Sequence, residues 1–176
     1  MESVIQSGKK NMKKVILLII VIAASVWYFD ISRKMTETSI RESYQAQMAA
    51  LQRFDAEQLC NSLDDSYSAT VVERGSGKTS TANDKAGTCA ELTRTMRRFK
   101  TLSERTGGMI EPDYDYQIRS ISLSPNRKLA TVEVDTKVRM GNMTLARSSS
   151  VEHLIRRNGR ILSTGGEATV WAFNPE

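Results

Sequence analysis

The rhythm of apolar and polar positions changes several times along this chain. Residues 15–29 form an unbroken apolar run without a single charge. From Ile40 the apolar positions recur at helical spacing, Ile40, Tyr44, Met48 and Leu51 falling on one face. Asp55 followed by Gln58 fits a capping box, so a second helix is expected there, carrying Leu59, Cys60 and Leu63 and ended by Asp64-Asp65. Tyr67 to Arg74 is rich in β-branched residues and predicts a first strand. Gly75 to Gly87 reads as a polar loop. Asp84 to Leu102 returns to helical spacing, with Cys89, Leu92, Met96 and Phe99 on one face and Arg94, Arg97, Arg98 and Lys100 mostly on the other.

The remainder alternates with a period of two. Strands are expected over Tyr114–Ser124, Lys128–Met140, Thr144–Arg157 and Arg160–Phe173. Asn158-Gly159 is a strong hairpin signal, and Gly165-Gly166 within the last strand suggests a bulge.

The first run shapes the organisation of the whole. Lys9, Lys10, Lys13 and Lys14 precede it, and Trp27 and Tyr28 lie near its far end. Cations on one flank and amphipathic rings on the other suit a membrane-inserted helix. The run alone spans roughly 22 Å of helix against ~30 Å of hydrocarbon. Extension from Met12 to Ile31 closes the gap if Lys13 and Lys14 snorkel. A cleaved secretion signal and a buried core helix are the competing readings; Val26-Trp27-Tyr28-Phe29 extends beyond the small residues where a signal would be cut. The expected organisation is a basic cytoplasmic segment (1–14), a transmembrane helix (15–31), a helical stalk (32–42) and an α+β domain (43–176). The domain would lie on the periplasmic side of an inner membrane.

Charge then loses its first meaning. The chain is +5 with a pI near 9.3, which invites a nucleic-acid reading. Six basic and two acidic residues fall within 1–34, leaving 19 basic against 18 acidic in the rest. The excess belongs to membrane topology, and no nucleic-acid partner is expected.

The order helix, helix, strand, helix and then a long antiparallel meander resembles the nuclear transport factor 2-like (SnoaL-like) cone. The resemblance is carried by Phe54-Asp55-Ala56-Glu57-Gln58-Leu59 running into Tyr67-Ser68-Ala69-Thr70-Val71, and by the final hairpin Ser148–Ile155 with Arg160–Leu162. It covers about residues 36–173 and is architectural; a cystatin-like helix-on-sheet domain is the nearest competitor. It implies helices packed in a strongly curved antiparallel sheet. It also places the second and third helices side by side, so that Cys60 and Cys89 would form a disulfide in an oxidising compartment. Two buried reduced thiols are the alternative.

The same cone carries enzymes, ligand binders and interaction modules, so it fixes no activity. No catalytic motif of the family maps onto this chain, and none is expected to act. Gly75-Ser76-Gly77-Lys78-Thr79 resembles the tail of a phosphate-binding loop, but Val72 stands where its first glycine is needed. One histidine makes a metal site improbable on composition, and no cofactor is expected. His153 shares strand parity with Val151 and Ile155, so it is expected to face inward, with Tyr116 and Trp171 lining the same cavity. Asp113 and Asp115 read as strand-edge charge. The favoured function is a tethered, non-catalytic interaction or assembly domain of a bacterial envelope complex, with other envelope proteins or a second copy as partner. The alternative is a small-molecule binder or SnoaL-like enzyme using the cone cavity.

Overall fold

The computed structural model describes residues 15–28, 34–74 and 81–172. The chain divides into a unit ending at Lys34 and a second one beginning at Met35. In the first, residues 15–28 are helical (α1), and the apolar side chains from Val15 to Tyr28 are exposed. Among the described residues, no helix is long and apolar enough to cross a membrane. Residues 12–14 and 29–31, which complete the expected span, lie outside them, as does residue 173 at the end of the last strand.

The second unit contains three helices, α2 (Glu37–Gln52), α3 (Ala56–Cys60) and α4 (Lys85–Arg105). Each has the cap its sequence supplies. Thr36 and Ser39 exchange side-chain and backbone hydrogen bonds at 3.1 and 3.0 Å, closing a capping box on α2. Asp55 accepts from the Gln58 amide at 2.9 Å, and Asp84 from the Gly87 amide at 2.8 Å. Six strands follow the order β2-β1-β6-β5-β4-β3: β1 (Leu63–Arg74), β2 (Thr81–Asp84), β3 (Pro112–Leu123), β4 (Leu129–Met140), β5 (Met143–Arg157) and β6 (Arg160–Ala172).

Four expectations change here. The sheet is mixed, because β1 runs parallel to β6, with Arg74 opposite Trp171. β1 lies beside β6, at the opposite end of the meander from β3. Second, the stalk expected over 32–42 is at least partly domain. Met35 and Ile40 are fully buried, in one core with Tyr44, Val132, Val134 and Leu154. Polar residues between them cover the solvent side of the same helix. Third, β1 starts at Leu63, so Asp64 and Asp65 lie in a strand. Fourth, β2 occupies part of the stretch read as loop, its polar residues pairing with Ser68–Val71 at the sheet edge.

Asp64 shows how β1 tolerates a carboxylate. It is buried, accepts from the Ser66 hydroxyl at 2.7 Å and amide at 3.0 Å, and pairs with Arg157 at 3.1 Å. The Ser66 hydroxyl and amide, with the Arg157 charge assisting, hold its pKa below the usual carboxylate value against the cost of burial. The charged form therefore stabilises the fold. That contribution is complete above the unfolded value of about 3.9 and is lost as pH falls through the lower folded value. In urea titrations, Asp64→Ala is expected to cost roughly 1–3 kcal/mol at pH 7. The gap from wild type should narrow below about pH 4; a gap independent of pH would remove the carboxylate from the account.

Four register shifts interrupt the ladders among the described residues, at Leu63/Ser68, Ile118/Ser120, Val138/Arg139 and His153/Leu154. The β5–β6 hairpin turns on Asn158 and Gly159, both left-handed with φ 51° and 76°. Cys60, ending α3, is disulfide-bonded to Cys89 in α4, with Cα atoms 5.4 Å apart.

Candidate functional site

Helix α2 lies against the concave face of the sheet, and the residues predicted for its apolar face divide by depth. Ile40 and Tyr44 are buried, while Met48 and Leu51 border a cavity of about 310 Å³. Strands β1, β3, β4, β5 and β6 supply the other walls, including Tyr67, Val71, Tyr116, Val134, Glu152 and Ala168. Gly165 and Gly166 also border it.

The polar centre of this cavity is Tyr44 with Glu152. The Tyr44 hydroxyl donates a hydrogen bond to Glu152 Oε2 across 108 residues of sequence. Burial, then the Glu152 charge and hydrogen bond, push the Tyr44 pKa far above its ordinary value, so the phenol stays neutral. Tyr67 is raised as well, by burial and by Glu152. The Tyr116 ring stacks on Tyr44 with centroids 6.0 Å apart. This arrangement offers one carboxylate, held in place by a phenol, amid aromatic and aliphatic walls. It can accept hydrogen bonds from a bound molecule or receive a proton from one.

Of the three residues expected to line the cavity together, only Tyr116 does so. His153 is exposed on the outer face, its Nδ1 3.3 Å from the Thr131 hydroxyl. The parity is the reverse of that expected: Glu152 and the buried Leu154 point into the cone, and Val151 and His153 alternate outward. Trp171 is also outside. It lines a groove of about 670 Å³ with Tyr116, Arg119, Asp135, Lys137 and Arg147, where Arg119 and Asp135 form an ion pair. Asp113, read as strand-edge charge, pairs with Arg139 at 2.6 Å on the surface. Sequence reasoning missed Tyr44 and Glu152. Tyr44 was visible only as part of an apolar face, and Ser148-Ser149-Ser150 before Glu152 gives no alternation from which to read parity.

Among the described residues, no group of three His, Cys, Asp or Glu is placed to hold a metal ion. No protein-family model matches the sequence, and no curated protein does. Solved structures do resemble it. A nuclear transport factor 2-like protein of unknown function from Silicibacter pomeroyi DSS-3 is 14% identical, with a TM-score of 0.53 over 77% of this chain and 99% of its own. One from Shewanella baltica OS155 is 12% identical, with a TM-score of 0.53 over 81% and 100%. A domain of unknown function with a cystatin-like fold from Nostoc punctiforme is 13% identical, with a TM-score of 0.52 over 80% and 81%. At such identities the likeness concerns fold alone: the domain is an α+β cone with a curved mixed sheet, of the nuclear transport factor 2-like kind.

Proposed function

We propose that this protein is a membrane-tethered, extracytoplasmic domain that binds a small molecule inside its cone. The observation that carries the reading is the cavity itself, walled by α2 and the sheet, with Glu152 held by Tyr44 among aromatic and aliphatic side chains. Small-molecule sites combine apolar walls with a few placed polar groups, and about 300 Å³ is the lower end of their usual size. Binding without chemistry is the simpler use, since the charged lining is carboxylate only. An apolar fluorescent dye is expected to bind the full chain at micromolar affinity. Ala168→Phe, which fills the cavity from β6, should abolish that binding; dye binding unchanged in this variant would place the site elsewhere.

The tether rests on the lysines before residue 15, the apolar helix 15–28 and the Trp27-Tyr28 pair. A reporter active only outside the cytoplasm, fused after Glu176, is expected to be active, with the protein in the membrane pellet. A soluble product starting near Val26 would replace the anchor by a cleaved signal.

The outer groove favours a second reading, an assembly domain of an envelope complex. Trp171 is 38% exposed there beside Arg147, and tryptophan and arginine are the residues enriched at interface centres. An envelope partner lost from pulldowns on Trp171→Ser, with the cone binding no dye, would favour that use.

A further inference from the structure

The lining of the cone cavity has one sign of charge. Its ionisable acids are Glu152 and the exposed Glu167, and no lysine, arginine or histidine borders it among the described residues. Glu152 accepts a hydrogen bond from Tyr44, a neutral donor, and no basic side chain forms an ion pair with it among the described residues. A carboxylate accepts at about four lone-pair positions, and Tyr44 occupies one of them. Such a charge, partly removed from water, lacks a counter-ion among the described residues. The domain as a whole is near electrical neutrality, so the cavity is negative by local placement and not by overall composition.

We infer that the ligand of the cone is a cationic amphiphile, an amine or quaternary ammonium head beside Glu152 with an apolar body against Met48, Leu51, Val71 and Val134. This rests on the cone being a small-molecule site. Three observations converge on it. An anionic ligand would meet the part-buried Glu152, where like charges repel more strongly than in open water. A neutral apolar ligand would displace water from Glu152 without replacing its solvation. A cation satisfies the carboxylate in a cavity lined by Tyr44, Tyr67 and Tyr116, and aromatic rings attract positive charge. The upward shifts of Tyr44 and Tyr67, to which the Glu152 charge contributes, agree with a negative interior and keep both rings neutral. The volume limits the ligand to a compact body, one fused aromatic pair or a short alkyl chain.

The test uses three probes on one naphthalene body, carrying a trimethylammonium, a hydroxymethyl or a sulfonate group. They are titrated into the full-length protein in zwitterionic phosphatidylcholine nanodiscs, with empty nanodiscs as background. The trimethylammonium probe is expected to bind about tenfold or more tightly than the hydroxymethyl probe, and the sulfonate not at all. Glu152→Gln, which keeps volume and the acceptor for Tyr44, should reduce the trimethylammonium probe to the level of the neutral one; Glu167→Gln should have a smaller effect. Equal binding of all three probes to wild type overturns the cationic preference and leaves the small-molecule site standing. Binding of none overturns both. The wild-type comparison decides the matter even if Glu152→Gln fails to fold.

Discussion

Replacing Gly165 with alanine is expected to abolish the folded domain, with no cooperative thermal transition by circular dichroism. Gly165 sits in β6 at φ +104°, opposite Ser68 of β1, where the parallel ladder shifts register. A Cβ there would overlap the carbonyl carbon and oxygen of Ser68 and come within 2.9 Å of its nitrogen. All three atoms are backbone, so no side chain can turn aside; β1 and β6 would have to separate. That pair carries the only parallel pairing among the described strands and closes the cone around α2. A loss above about 4 kcal/mol, in a domain of ordinary stability, leaves little folded population. Gly141→Ala supplies the contrast. Gly141 is also left-handed, at φ +58°, but its Cβ would meet nothing within 4 Å. It should cost only the backbone preference, about 1–2 kcal/mol. Equal losses in the two variants would mean that conformation, and not the close approach of β1, makes Gly165 necessary.

The second large effect is expected from the disulfide. Cys60 and Cys89 are 29 residues apart and close a loop that contains β1 and β2. For a loop of that length the chain-entropy estimate is roughly 3–4 kcal/mol. The Cys60→Ser/Cys89→Ser double variant should therefore melt roughly 10 °C lower. Wild type in reducing agent should match it. The two serines sit where α3 meets α4, so a further loss would show that packing at this junction depended on the bridge. Two alkylatable thiols in the protein, denatured without reductant, would overturn the bond.

Much of the fold was legible where local chemistry and tertiary packing agree. Asp55 with Gln58, the α2 face of Ile40, Tyr44, Met48 and Leu51, the alternation of Ala130, Val132 and Val134, and Asn158-Gly159 each signalled their element directly. The parallel β1–β6 pairing left no such trace, because register between distant strands is set by three-dimensional closure. Asp64 in a strand was unreadable for a related reason: its partners, Ser66 nearby and Arg157 far along the chain, are recognisable only once folded. The candidate site was the least legible part. His153 was placed inside by parity with Val151, yet β5 turns the other set inward, so Glu152 takes the inward, part-buried position. A one-residue error in parity exchanges every side chain between faces. The Tyr44–Glu152 contact joins a helix near the start of the domain to a strand near its end, which no local pattern announces.

The pairing of β1 with β6 also fixes an order of events. A chain made from its N-terminus presents Leu63–Arg74 about a hundred residues before the strand it must pair with. At ordinary synthesis rates that interval is roughly 5–20 s. Meanwhile α3 and α4 have both emerged, and Cys60 and Cys89 can join before the sheet closes. The hairpins β3–β4, β4–β5 and β5–β6 assemble from neighbouring sequence, so docking of β1 onto β6 is the slow, long-range step. Until then one side of β1 offers unpaired backbone to any other extended chain. A nascent domain that stalls before Arg160 is thus left with an open sheet edge, and protection of that edge until β6 arrives becomes part of how this protein reaches its native state.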